Sequence, residues 1–209
     1  MKRAFKNEQQ ELLQKLEHGM AEYGFEFTPK DSHFEKHITS GRLAFRPGFV
    51  HHDSDFDVIA SVSVRLESLE RLIYEEDEGR FLLSYSMGAE LGNISEGKQK
   101  RWTVKAQADV ETVSKSMLSA FSSIGLPYLE RYSIMEDALE ALSRDDKTGW
   151  LHSPVHEMRA KRALALAFLL HKKDSFRRLA DEKSAFLASR NDPKLGEFLS
   201  FIQKLENRL

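Results

Sequence analysis

The chain has 209 residues, 41% of them hydrophobic and 31% charged, enough apolar material for a core in one or two domains and too balanced in charge for a disordered tail. Thirty-one Lys and Arg against thirty-three Asp and Glu leave a formal net charge of −2, which excludes a global field drawing the whole molecule onto nucleic acid or membrane. The absence of cysteine excludes disulfides, thiolate nucleophiles, iron–sulfur clusters and cysteine-ligated zinc, so any chemistry must run on His, Asp, Glu, Ser, Tyr or Lys.

The charged start Met1-Lys2-Arg3 runs into a Gln/Glu-rich helix, so no signal peptide is expected. Phe5, Leu12, Leu13, Leu16, Met20 and Tyr23 form one helical stripe that stops near Gly24. From Phe25 the period becomes two. Strands are expected around Phe25 and Phe27, around Phe34 to Ile38, and from Leu43 to Phe49 across a Pro47-Gly48 break, with Thr39-Ser40-Gly41 as a hairpin turn. The clearest strand is 55–66. Phe56, Val58, Ala60, Val62, Val64 and Leu66 share one face, and Asp55, Asp57, Ile59, Ser61, Ser63 and Arg65 share the wet one.

A short helix near 66–74 precedes the acidic run Glu75-Glu76-Asp77-Glu78-Gly79. A second alternation, Phe81, Leu83, Tyr85, Met87, Ala89 and Leu91, predicts a long strand over 81–92, with a turn at 93–97 and a partner strand at Trp102, Val104 and Ala106. Asp109 reads as the cap of a helix ending at Gly125, and Ser133 as the cap of the next. Helices are then expected at about 154–171, 174–188 and 193–208. The fold class is α+β, an antiparallel meander of five to six strands packed with helices and followed by a helical subdomain, because the helical crossovers of a parallel sheet are missing. The expected domains are 1–148 and 149–209. The longest apolar run, Ala163 to Leu170, is far shorter than the roughly 20 residues of a membrane span. A cytoplasmic address is expected, and the sequon Asn93-Ile94-Ser95 reads as a chance match.

The densest cluster of candidate ligands is His51-His52-Asp53-Ser54-Asp55-Phe56-Asp57. On an extended strand His51, Asp53, Asp55 and Asp57 project together, and carboxylates with an imidazole suit a divalent cation. A calcium loop is ruled out because Val58 stands where Gly is needed and Val64 where the bidentate Glu is needed. The other reading of the cluster is a polar strand entrance. Gly92 to Gln99 nearly spells a phosphate-binding loop, but Gln99 replaces the hydroxyl residue and leads into a strand, so a hairpin turn is expected. His152 and His156 are four apart, yet Pro154 between them keeps His152 off the helix of His156 and residue 160 is Ala, so a zinc motif is not formed. His33, Glu35 and His37 read as the wet side of a strand. No cofactor motif is present.

Charge is unevenly spread. Residues 149–209 carry a net +5 and residues 1–148 a net −7, and 51–79 alone carries nine acidic residues against Arg65 and Arg71. Either basic helices neutralise the acidic stretch within the molecule or each faces a partner.

The segment Ile124-Gly125-Leu126-Pro127-Tyr128-Leu129-Glu130-Arg131-Tyr132-Ser133, after a helix ending near Gly24-Phe25 and an antiparallel sheet, resembles a family of uncharacterised bacterial α+β domains over roughly the first 145 residues. The resemblance implies an immunity- or antitoxin-like protein and brings no catalytic residues. The leading expectation is therefore a non-catalytic bacterial protein that binds another protein through an acidic surface of Asp53, Asp55, Asp57, Glu75, Glu76, Asp77 and Glu78. A homodimer is compatible with this, and membrane and nucleic acid are not expected partners. The alternative is a metal-dependent hydrolase or transferase using His51, Asp53, Asp55 and Asp57.

Overall fold

Alternation is the strongest pattern in the sequence, and it is realised in a six-stranded antiparallel sheet. In this computed structural model, which describes residues 5–75 and 77–209, the strands are β1 (Glu26–Thr28), β2 (His33–Ile38), β3 (Gly41–His51), β4 (Phe56–Leu66), β5 (Met87–Glu90) and β6 (Trp102–Val104). Neighbours run β1-β2-β3-β4-β5, and β6 joins β4 as well. The β1–β2, β2–β3 and β4–β6 ladders are antiparallel, with Phe34 opposite Phe45 and Val58 opposite Trp102. The sheet and its helices make an α+β protein. The chain divides into two compact units, residues 1–64 with 88–130, and residues 65–87 with 131–209. Residue 148 lies inside the second unit.

In the first unit, helix α1 (Lys6–Ala21) and helix α5 (Asp109–Ala120) pack on each other. They meet closely at Gly19, where a Cβ would lie 2.4 Å from Leu118 Cδ1. Phe34, Phe45, Phe56, Val58, Val62 and Val64 of the sheet are wholly buried. Each such side chain is worth about 1.5–3 kcal/mol relative to exposure. Phe121 gathers Tyr23, Phe25 and Phe45 around it edge-on, with ring centroids 5.2–5.4 Å apart.

Phe121 begins a turn of π-helix, Phe121–Gly125, that joins α5 to helix α6 (Leu126–Tyr132), so the helix expected to stop at Gly125 continues. The reason is local. Pro127 cannot donate to the carbonyl one turn back, and a widened turn in which the Leu126 amide reaches Phe121 carries the helix past it. The next helix also begins later than expected, its N-cap position falling at Ile134 and not at Ser133. Helix α7 (Met135–Ser143) starts from extended Ile134 without a side-chain cap bond. Asp109 is the first residue of α5, and its carboxylate accepts from the Lys105 and Ala106 amides, folding the preceding loop.

The long strand expected over 81–92 is three elements. Asp77 accepts from the Arg80 amide and caps helix α3 (Glu78–Leu83), β5 takes four residues, and helix α4 (Leu91–Glu96) ends at left-handed Gly97. Both β5 and β6 lie along β4, so 93–97 is no hairpin between them.

The second unit is built on helix α9 (His156–Leu169), against which helix α2 (Glu67–Ile73), α7, helix α10 (Lys173–Ser189) and helix α11 (Leu195–Glu206) all pack. Its Ala160, Ala163, Leu164, Ala165, Leu166 and Ala167 are buried on several sides, as expected of a central helix. Helix α8 (Lys147–His152) is capped by Asp146, which accepts from the Thr148 and Gly149 amides.

Candidate functional site

The cluster at 51–57 forms the turn between the two longest strands. The His52 amide donates to the Asp55 carbonyl at 2.9 Å, closing a two-residue turn at Asp53 and Ser54. Asp53 is exposed and Asp55 partly so, whereas Asp57 turns back into the sheet. There it accepts from Thr103 Oγ1 at 2.7 Å and from Arg101 at 3.2 Å, and its Oδ2 lies 3.2 Å from His52 Nε2. The Thr103 hydroxyl, then His52 and Arg101, hold the Asp57 carboxyl below its ordinary value. His51 turns to Gln9 on α1, 3.0 Å away.

The four residues of the metal reading therefore do not converge: Asp57 is satisfied by β6 and the residue before it, His51 by a helix, and Asp53 and Asp55 point to solvent. Among the described residues no three His, Asp or Glu side chains are placed to hold a metal ion. Alternation along a strand predicts a shared face, but not that partners 44 and 46 residues away would claim one member of it.

The remaining acidic residues belong to the second unit. Glu75 is paired with Lys204 at 3.0 Å and Arg208 at 3.5 Å, and the Lys204 hydrogen bond foremost holds its carboxyl below the ordinary value. Asp77 is spent on the α3 cap and on Arg80, and Glu76 lies outside the described residues. Glu70, wholly buried, takes both arms of Arg162, at 3.0 and 3.2 Å. Cations of the C-terminal helices thus meet Glu70 and Glu75 within the unit, which holds eighteen cationic and eighteen anionic residues in all. The first unit keeps the net −2. Of the seven acidic residues expected to form one contact surface, Asp53, Asp55 and Glu78 are the described ones left without a cationic partner, Glu78 standing exposed at the start of α3 in the second unit.

Burial reassigns the histidines. His152 ends α8 and is only 3% exposed, with Nε2 3.3 Å from the Tyr132 hydroxyl; burial pushes its pKa down to about 4. His156 starts α9 between Trp150 and Phe186, and its Nδ1 accepts from Arg159 at 2.8 Å. His33 is buried instead of wet, and half-buried Glu35 meets His33, His37 and Arg42 within 3.2–3.5 Å.

Gly92, first residue of the phosphate-loop lookalike, is inside α4. A Cβ there would stand 2.3 Å from Lys100 N and 2.5 Å from Lys98 O, so the backbone that would cradle a phosphate is closed on itself. A hollow that no sequence motif marks lies on the sheet, about 440 Å3, lined by Asp31, Arg46, Val50, Ile59, Ser61 and Glu90 among others. No helix is long and apolar enough to cross a membrane among the described residues. Comparison with protein-family models, curated proteins and solved structures finds no match to the chain.

Proposed function

We propose that the chain is a non-catalytic protein-binding module of the immunity or antitoxin type, working in the bacterial cytoplasm. The observation that carries this reading is the β3–β4 hairpin tip. Two eleven-residue strands end in a turn whose Asp53 and Asp55 face solvent, while Asp57 just behind them is clamped by Thr103, Arg101 and His52. A rigid base under unpaired carboxylates suits recognition of a cationic protein surface, where complementary charge raises the association rate and fixes register. The contact surface is accordingly narrower than 51–78 and centres on Asp53 and Asp55. Glu75, Asp77 and Glu70 are engaged within the second unit, to which exposed Glu78 also belongs.

The test is cross-linked capture from native cells with the wild-type chain and with the double variant Asp53→Lys/Asp55→Lys. Thermal melts confirm that both fold. A partner held by the wild type and lost from the variant is the expected result. A partner held equally by both defeats the assignment of this surface.

A further inference from the structure

The open edge of β3 gives this binding reading a geometry. The ladder of β3 with β2 runs from Gly41 to Phe45, and beyond it the chain before β2 turns away at Ser32, in the left-handed region at φ 48°. Two turns show which backbone groups face that edge. Ile38 and Gly41 flank a two-residue turn, and such a closing pair exchanges both hydrogen bonds, so odd-numbered residues of β3 direct their N–H and C=O toward β2. At the far end the His52 amide bonds Asp55 of the opposite strand, so even-numbered residues face β4, in agreement. Past Phe45 the odd positions are Pro47, Phe49 and His51, and among the described residues no strand pairs with them.

Pro47 becomes intelligible on this edge. Its missing N–H points where no ladder partner exists, so a proline sits within an eleven-residue strand without costing a sheet hydrogen bond. Phe49 and His51 each leave an N–H and a C=O on the same line, the template to which an extended chain adds. The hollow of about 440 Å3 lies beside it, with apolar Val50 and Ile59 and charged Asp31, Arg46 and Glu90 in its lining. Gln99 and Asn93 hold the Glu90 carboxylate at 3.1–3.3 Å. Asp31 and Glu90, with Asp53 and Asp55 at the strand's end, outnumber Arg46.

We propose that an extended segment of a partner protein, carrying both apolar and Lys or Arg side chains at every second position, on one face, adds as a strand to β3 at Phe49 and His51. On that face its apolar side chains enter the hollow and its cations meet Asp53, Asp55 and Glu90. The proposal rests on the protein-binding reading and supplies its mode.

The experiment uses the full chain, immobilised, to select from a display library of random twelve-residue peptides, followed by amide hydrogen exchange with the enriched peptides. Peptides with apolar and basic side chains together at every second position that protect the Phe49 and His51 amides are the expected result. His51→Pro, which removes one edge donor, should weaken their binding about tenfold while His51→Ala leaves it nearly unchanged. Methylating alternate backbone nitrogens of the peptide should abolish binding without altering the protein, so the proposal remains testable if His51→Pro does not fold. It is overturned if no peptide is enriched, if enriched peptides leave these amides exchanging freely, or if the protection comes from a second copy of the chain. Any of these, with capture still sensitive to Asp53 and Asp55, defeats the strand addition and leaves the binding function standing.

Discussion

Single side chains in the second unit carry consequences that can be measured. Gly149 follows the Asp146 cap, and a Cβ there would lie 2.1 Å from the Arg144 carbonyl oxygen, which is backbone and has nowhere to go. Gly149→Ala should therefore destabilise by about 1–3 kcal/mol, read as a lower denaturation midpoint in urea. His152 makes a pH prediction. Its folded pKa is about 4 against an ordinary unfolded value near 6.5, so the unfolded chain binds the proton first as pH falls. The stability this neutral imidazole contributes is full above about pH 6.5, declines between about 6.5 and 4, and is gone below. His152→Gln, which can still hydrogen-bond Tyr132, should flatten that part of the wild-type stability curve. An unchanged slope would mean that the ring is solvated.

Between elements, the decisive contact is Glu70 on α2 with Arg162 on α9. Both are charged, Glu70 is wholly buried, and the arrangement is bidentate. A pair of this kind contributes little net stability, but removing one partner strands the other charge, so Glu70→Gln should cost about 3–5 kcal/mol. Glu182→Gln, breaking an exposed pair with Arg178 one turn away, should cost about 0.5 kcal/mol or less. Equal losses in urea melts would refute the buried pairing.

The same scale shows what the sequence discloses. Strand β4 and helices α9, α10 and α11 are legible because each has a period that burial enforces: Val58, Ala60, Val62 and Val64 at two, Phe198, Phe201, Ile202 and Leu205 at helical spacing. The stretch 81–92 misleads because Phe81, Leu83 and Tyr85 alternate by accident inside a segment whose local capping, at Asp77, favours a helix. The π turn is hidden since Gly and Pro ordinarily end helices, and it takes the Phe121 cluster to hold one together across them. At the site, sequence locates the acidic turn. It cannot show that Asp57 is spoken for or that, among the described residues, no strand pairs with the far end of β3, because both depend on strands paired across tens of residues.

At the scale of the molecule, charge separates by unit and not by chain half. The opposition of −7 and +5 along the sequence disappears once 65–87 is grouped with the C-terminal helices, leaving one unit neutral and the other at −2. A neutral second unit should bind no polyanion through bulk electrostatics, despite Lys172, Lys173, Arg177 and Arg178. The expectation is elution from heparin at or below about 0.1 M salt, where surface charges farther apart than about 10 Å are screened. Firm retention there would show these cations acting as a patch.

The interrupted second unit also sets a schedule. Residues 65–87 leave the ribosome long before the helices they pack with, and Arg162 comes 92 residues after Glu70. At roughly 5–20 residues per second, the nascent chain holds that carboxylate without its cation for about 5–18 seconds. Every residue of the first unit is synthesised by residue 130, so it can close while the excursion at 65–87 still waits for its partners. A stalled chain long enough to carry residue 130 clear of the ribosomal exit tunnel, with Arg162 still inside it, should then yield one protease-resistant fragment set, from the first unit, with 65–87 cut out between them.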